Sequence, residues 1–304
     1  MARRTVPAAL AATVFLFAVL FLPACSSDDN PVQPQPNTSE APTLPAMSTM
    51  VLTLDFFGVP MPEVDPRSIL TGKPGPELEA ADAANHTNWI NAFVRVLWLK
   101  LLVYDALEEP IGAFALAIHS VPQKQSDGGW LWTYIFVEDN VEYSVFLYGK
   151  VVGDRAEWRL EVSTNAPDFL LDHFVWFTGQ SMLNNTEGYW QFYEPVFPAS
   201  AASAVAGATD GIQSARIDWE HITPTDHRLT VTVNKPGDPD EGDTLEFHES
   251  LSIGEVNHYD AGEDRRSNIT WYPNGTGSIT VWDYNNGEPA CWDERQQDTD
   301  CPLK

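Results

Sequence analysis

Two histidines, His221 and His227, flank Ile222–Asp226, a stretch that reads as the turn of a hairpin. Side chains alternate between the two sides of a strand, so both imidazoles fall with Ile217, Trp219, Leu229 and Val231. Such a cross-strand pair supplies two ligands for Zn²⁺ or Cu²⁺, and His248, His258 or Asp260 would have to complete the set. The alternative is a structural pair at a sheet margin. A second cluster is Asp238-Pro239-Asp240-Glu241-Gly242-Asp243. On a glycine-containing turn, Asp238, Asp240 and Asp243 could offer some of the ~6–8 hard oxygens that Ca²⁺ takes. The stretch lacks the glycine placement and closing bidentate Glu of an EF-hand loop, and the competing reading is a solvated acidic turn.

Aromatic rings form the third group. Trp130, Trp132, Tyr134 and Phe136 alternate along one run while Leu131, Ile135 and Val137 point the other way, so a strand here needs cover on both faces. Rings in a row on a curved sheet can stack on sugars or wall a cavity for an acyl chain. The same ladder can pack beneath a helix as plain core. No GxSxG elbow, HExxH helix, Walker A loop or Rossmann glycine fingerprint is present, and Ser181 in Gly179-Gln180-Ser181-Met182-Leu183 lacks the second glycine of an elbow. No catalytic residue is therefore assigned, and no cofactor is expected unless Ca²⁺ binds the acidic turn.

The elements that must position these groups are mostly strands. One helix is expected at about 85–107, where Trp89, Ile90, Phe93, Val96, Leu97, Leu101, Tyr104 and Leu107 form a stripe and Thr87 or Asn88 is available as N-cap. Further apolar residues widen the stripe, which makes the helix largely buried, while Arg95, Lys100 and Asp105 argue against a membrane span. Strands are expected at 51–56, 112–120, 129–137, 141–148 and 155–163, and then within 169–177 and 189–193. After the small-residue stretch 198–211, more follow at 215–221, 228–234, 244–250, 268–272 and 278–284. Short connections imply an antiparallel meander. The expected fold is mainly β: a large antiparallel sheet, curved into a sandwich or half-barrel, with the long helix against its apolar face.

Composition narrows the partners. The chain carries 17 basic and 43 acidic residues, a net charge of −26. That field argues against nucleic acid and anionic lipid headgroups, which are bound through basic patches. The 11 Trp, 15 Phe and 9 Tyr must fill cores or line a site. Cys291 and Cys301, ten residues apart, are expected to form a disulfide in an oxidising compartment, closing a loop worth ~2–3 kcal/mol in the chain-entropy model.

The N-terminus indicates that compartment. Arg3 and Arg4 precede an apolar run from Ala8 to Leu22, too short for the ~20 residues of a membrane span and suited to a signal peptide. The run ends in Leu22-Pro23-Ala24-Cys25, which resembles the lipobox of bacterial lipoproteins. The resemblance covers the signal segment and implies cleavage before Cys25 and lipid attachment to its sulfur. The remainder would then hold 15 basic and 43 acidic residues, a net charge of −28. Ser26-Ser27-Asp28-Asp29 resembles the short acidic signal that sends some lipoproteins of the Bacteroidota to the outer face of the outer membrane. The organisation implied is a signal peptide at 1–24, a disordered Pro-rich tether at 25–48 and a β-rich domain at 49–304, with a candidate sub-boundary at 199–211.

Three functions fit. The first is a lipid-anchored envelope protein that binds or carries an apolar or carbohydrate ligand without catalysis, an outline similar to periplasmic lipoprotein carriers, whose half-open barrels are filled by a helix. The second is a structural or adhesive surface lipoprotein. The third is an envelope hydrolase using paired carboxylates, recognisable by two such groups ~5–10 Å apart in a cleft.

Overall fold

A computed structural model describes residues 40–50, 85–138, 141–166, 170–196, 205–207 and 211–302. All belong to one compact unit spanning Pro36–Lys304. Cys25, the signal segment and the strand expected at 51–56 lie outside the described residues. The packed part begins before residue 49, because Ala41, Leu44 and Met47 already rest on the core and Met50 is buried.

Helix α1 spans Thr87–Ala117 and so runs ten residues beyond the expected end at 107. The stretch from Gly112, expected as a strand, is its last turns. Ile111, Phe114 and Ala117 continue the buried stripe of Ala92, Val96, Leu99 and Leu107 at helical spacing, and that burial outweighs the backbone hydrogen bond lost at Pro110. Beyond the helix, the Ser120 hydroxyl donates to the Ala117 carbonyl, and Pro122 follows.

The strands are β1 (Gln123–Lys124), β2 (Trp130–Glu138), β3 (Val141–Val152), β4 (Arg155–Thr164), β5 (Leu170–Asp172), β6 (Phe174–Met182), β7 (Glu187–Pro195) and β8 (Val205–Gly207). They continue with β9 (Gly211–Thr223), β10 (Asp226–Val233), β11 (Thr244–Glu249), β12 (Gly254–Asp260), β13 (Arg265–Trp271), β14 (Gly277–Thr280), β15 (Ala290–Trp292) and β16 (Asp298–Thr299). Fourteen of them form one antiparallel sheet in chain order, with only β5 and β8 set aside as a small parallel pair, and its ends β1 and β16 do not pair to close a barrel. Strand β7 pairs directly with β9, so the sheet continues across the small-residue stretch at 199–211.

One face of the sheet is apolar and the other wet. On β4, Trp158, Leu160 and Val162 are buried while Glu157 and Arg159 are exposed. Helix α1 lies against the apolar face and reaches both ends of the sheet, touching β2 and β3 on one side and β14, β15 and β16 on the other. Its N-terminus is held by the far end of the chain. His86 makes no side-chain cap, and instead the Asp298 carboxylate accepts from the backbone N–H groups of Thr87 and Asn88 at 3.2 and 2.8 Å. Asn88 donates to the Cys291 carbonyl at 2.7 Å, and Cys291 is bonded to Cys301, with Cα atoms 5.2 Å apart.

The apolar face is built from tryptophans set opposite glycines. Across β2, β3, β4, β6 and β7 the directly paired residues are Trp130, Gly149, Trp158, Gly179 and Trp190. Across β12 to β15 they are Gly254, Trp271, Gly277 and Trp292, and Gly188 faces Trp219 between β7 and β9. The indoles occupy the space that side chains on these glycines would need: a Cβ on Gly149, Gly179, Gly188, Gly254 or Gly277 would collide with the opposing tryptophan. Large and small residues thus interlock on the inner face of a curled sheet. Gly254→Ala is expected to lower stability by ~1–3 kcal/mol through overpacking against Trp271, whereas Gly112→Ala, in open space on α1, is expected to raise it by ~0.5–1 kcal/mol. Urea unfolding of the two variants checks both signs.

Candidate functional site

Between α1 and the sheet lies a cavity of about 270 Å³. Its floor is apolar: Leu99 and Leu107 from the helix, with Ala215, Val231 and Leu245 from β9, β10 and β11. Its rim is polar, with Glu194, Lys235, His258 and the three aspartates of the acidic turn, Asp238, Asp240 and Asp243. The long β10–β11 connection brings those aspartates to the mouth, where Gly237 and Gly242 adopt positive φ values of 75° and 95°.

Two of the three carboxylates are occupied in shaping that connection. Asp238 accepts from the Asp240 N–H at 3.1 Å, and Asp243 accepts from the Ala261 N–H at 2.8 Å and stands 3.4 Å from His258. Lys235 lies 2.7 Å from Glu194 and 4.0 Å from Asp238, and its pKa is raised chiefly by the hydrogen bond to Glu194. Asp240 is raised above the ordinary carboxylate range by partial burial and by the neighbouring charges of Asp243, Asp238 and Asp260. Among the described residues, no group of three or more His, Cys, Asp and Glu side chains is arranged to hold a metal ion.

The histidine pair sits elsewhere on the inner face. His221 and His227 are directly opposed in register, ring edge to ring face at 6.2 Å between centroids, with Trp219 5.4 Å from His221 and Phe247 5.8 Å from His227. The other residues named for a metal set, His248, His258 and Asp260, have other partners. His248 pairs with Asp226 at 3.0 Å, His258 with Asp243, and Asp260 accepts from the Glu263 N–H. His227 has Glu249 at 3.3 Å.

The aromatic ladder is part of the core wall rather than an exposed row. Trp132 is 3% exposed and packs on Trp158 with centroids 6.0 Å apart, while Trp130, Tyr134 and Phe136 are half-buried against the same core. Phe136 stacks on Tyr143 at 4.7 Å. Sequence reasoning missed one further feature, a groove of about 450 Å³ on the wet face. There Glu187 lies directly opposite Glu220, and Glu220 opposite Arg228. Both glutamates are exposed. Only the strand register brings the two together.

Burial, and then the charge of His227, push His221 below its ordinary pKa of 6.5. The folded state thus binds this proton less readily than the unfolded chain does. The cost of protonating the site is present in full at acidic pH and disappears as pH rises past 6.5, so stability should rise with pH over that interval. His221→Gln is expected to flatten that rise, as read from urea midpoints between about pH 5 and 8.

Compared with protein-family models, with curated proteins and with solved structures, the chain finds no match to any of the three.

Proposed function

We propose that this chain is a lipid-anchored protein of the bacterial envelope that binds an apolar ligand, without catalysing a reaction, in the cavity between α1 and β9–β11. The observation that carries the reading is that cavity: an apolar floor from Leu99, Leu107, Ala215, Val231 and Leu245 beneath a charged mouth. Such a lining takes the hydrocarbon part of an amphiphile and leaves its polar end at the rim. The helix filling an unclosed sheet also fits the carrier outline suggested by the sequence.

The anchor rests on Leu22-Pro23-Ala24-Cys25, with two or more acyl chains needed for stable attachment. The acidic residues after Cys25 support the outer membrane, with display at its surface. A carbohydrate ligand has less support, because the Trp130–Phe136 rings pack into the core. The structural or adhesive alternative would leave the cavity without an occupant.

Two measurements on the full chain expressed in a bacterium test the two halves. Radiolabelled palmitate should enter the wild type and not Cys25→Ala; equal labelling would remove the anchor. Val233→Trp, placed on the cavity wall, should weaken binding of a fluorescent fatty-acid probe at least tenfold with little change in melting temperature. Unchanged probe affinity would move the ligand elsewhere.

A further inference from the structure

Strand β2, next to the two-residue end strand β1, has an edge that the described residues leave largely open. Strand β3 pairs with it along its whole length, from Trp130 to Glu138, without a bulge, but β1 covers only Trp130 and Leu131 on the other side. From Trp132 to Glu138, no backbone hydrogen bond is made on that side among the described residues. The sequence of the edge itself, Trp132–Val137, carries no charge or proline to discourage pairing. Ile135 and Val137 stand 57% and 66% exposed on the outer face.

We infer that this edge pairs with the same edge of a second copy of the chain, antiparallel and about a two-fold axis at Ile135. The pattern of side chains is self-complementary in that register. On the outer face Ile135 meets its own copy, and Thr133 meets Val137, giving a continuous row of β-branched residues. On the inner face Tyr134 meets Phe136, extending the Phe136–Tyr143 stack across the junction. Charge follows the same symmetry. Lys124 and Lys150, with Asp127 3.8 Å from Lys150, lie beside the Trp130 end, while Glu142 pairs with Val137 beside the other end. An antiparallel arrangement sets the basic end of one copy against the acidic end of the other. The net charge of −26 on each chain opposes association, so the dimer should tighten as salt is added.

Directly opposed residues of antiparallel strands have Cβ atoms ~4.5–5.5 Å apart, close to disulfide reach. In the full chain, Ile135→Cys should therefore give a disulfide-linked dimer under oxidising conditions, seen on a non-reducing gel. Val152→Cys, also exposed but on the neighbouring strand, should stay monomeric. Sedimentation of the full chain in mild detergent should show a dimer for the wild type, favoured at 0.5 M over 0.05 M NaCl by about tenfold in affinity, and a monomer for Ile135→Lys with an unchanged melting temperature. A wild-type monomer throughout, equal crosslinking by both cysteine variants, or a fixed-stoichiometry complex with a different protein at this edge would overturn self-pairing.

Discussion

A sheet of fourteen strands with one apolar face must cover that face, and among the described residues helix α1 does most of this, with the segment at 41–50 packed beside it. The arrangement works only because the sheet curls far enough for both of its ends to reach α1. Interlocking on the inner face permits the curl: indoles lie over glycines on neighbouring strands, so that the concave side holds large rings without crowding. The C-terminal segment then fixes the helix, since Asp298 caps it and Cys291 receives the Asn88 amide. Helix, sheet and tail thus depend on one another through contacts some two hundred residues apart in sequence, a non-local pattern that favours slow folding.

The class of fold was legible because alternation on strands such as Arg155–Thr164 is strong and short turns leave antiparallel pairing as the economical choice. The disulfide was legible because only two cysteines remain once Cys25 is set aside. The true length of α1 was not. Pro110 looks like a helix terminus, and the residues after it resemble a strand until Phe114 is found against Phe177 and Trp190, at 5.9 and 5.6 Å. Strand β12 was also overlooked, since Gly254–Asp260 is polar enough to pass for a loop and owes its place to pairing on both sides. The cap by Asp298 and the opposition of tryptophan to glycine depend on tertiary register, which no local pattern encodes.

The candidate site follows the same division. Sequence alone singled out Asp238, Asp240 and Asp243, but as ligands for a cation. Their position at the mouth of a cavity depends on how the β10–β11 connection folds over α1, and Leu99 and Leu107 gave no sign that they would floor it. Much of the carboxylate capacity around the mouth is spent on the turn and on Lys235 and His258. The floor therefore carries more of the functional argument than the rim does.

The central claim is that the space between helix and sheet holds an apolar ligand. Native mass spectrometry of the full chain, isolated gently from its own host, tests it most directly. The account predicts a bound lipid-like mass in addition to the acyl anchor, released when the protein is denatured. A single mass, explained fully by the polypeptide, its Cys291–Cys301 bond and its anchor, would contradict it.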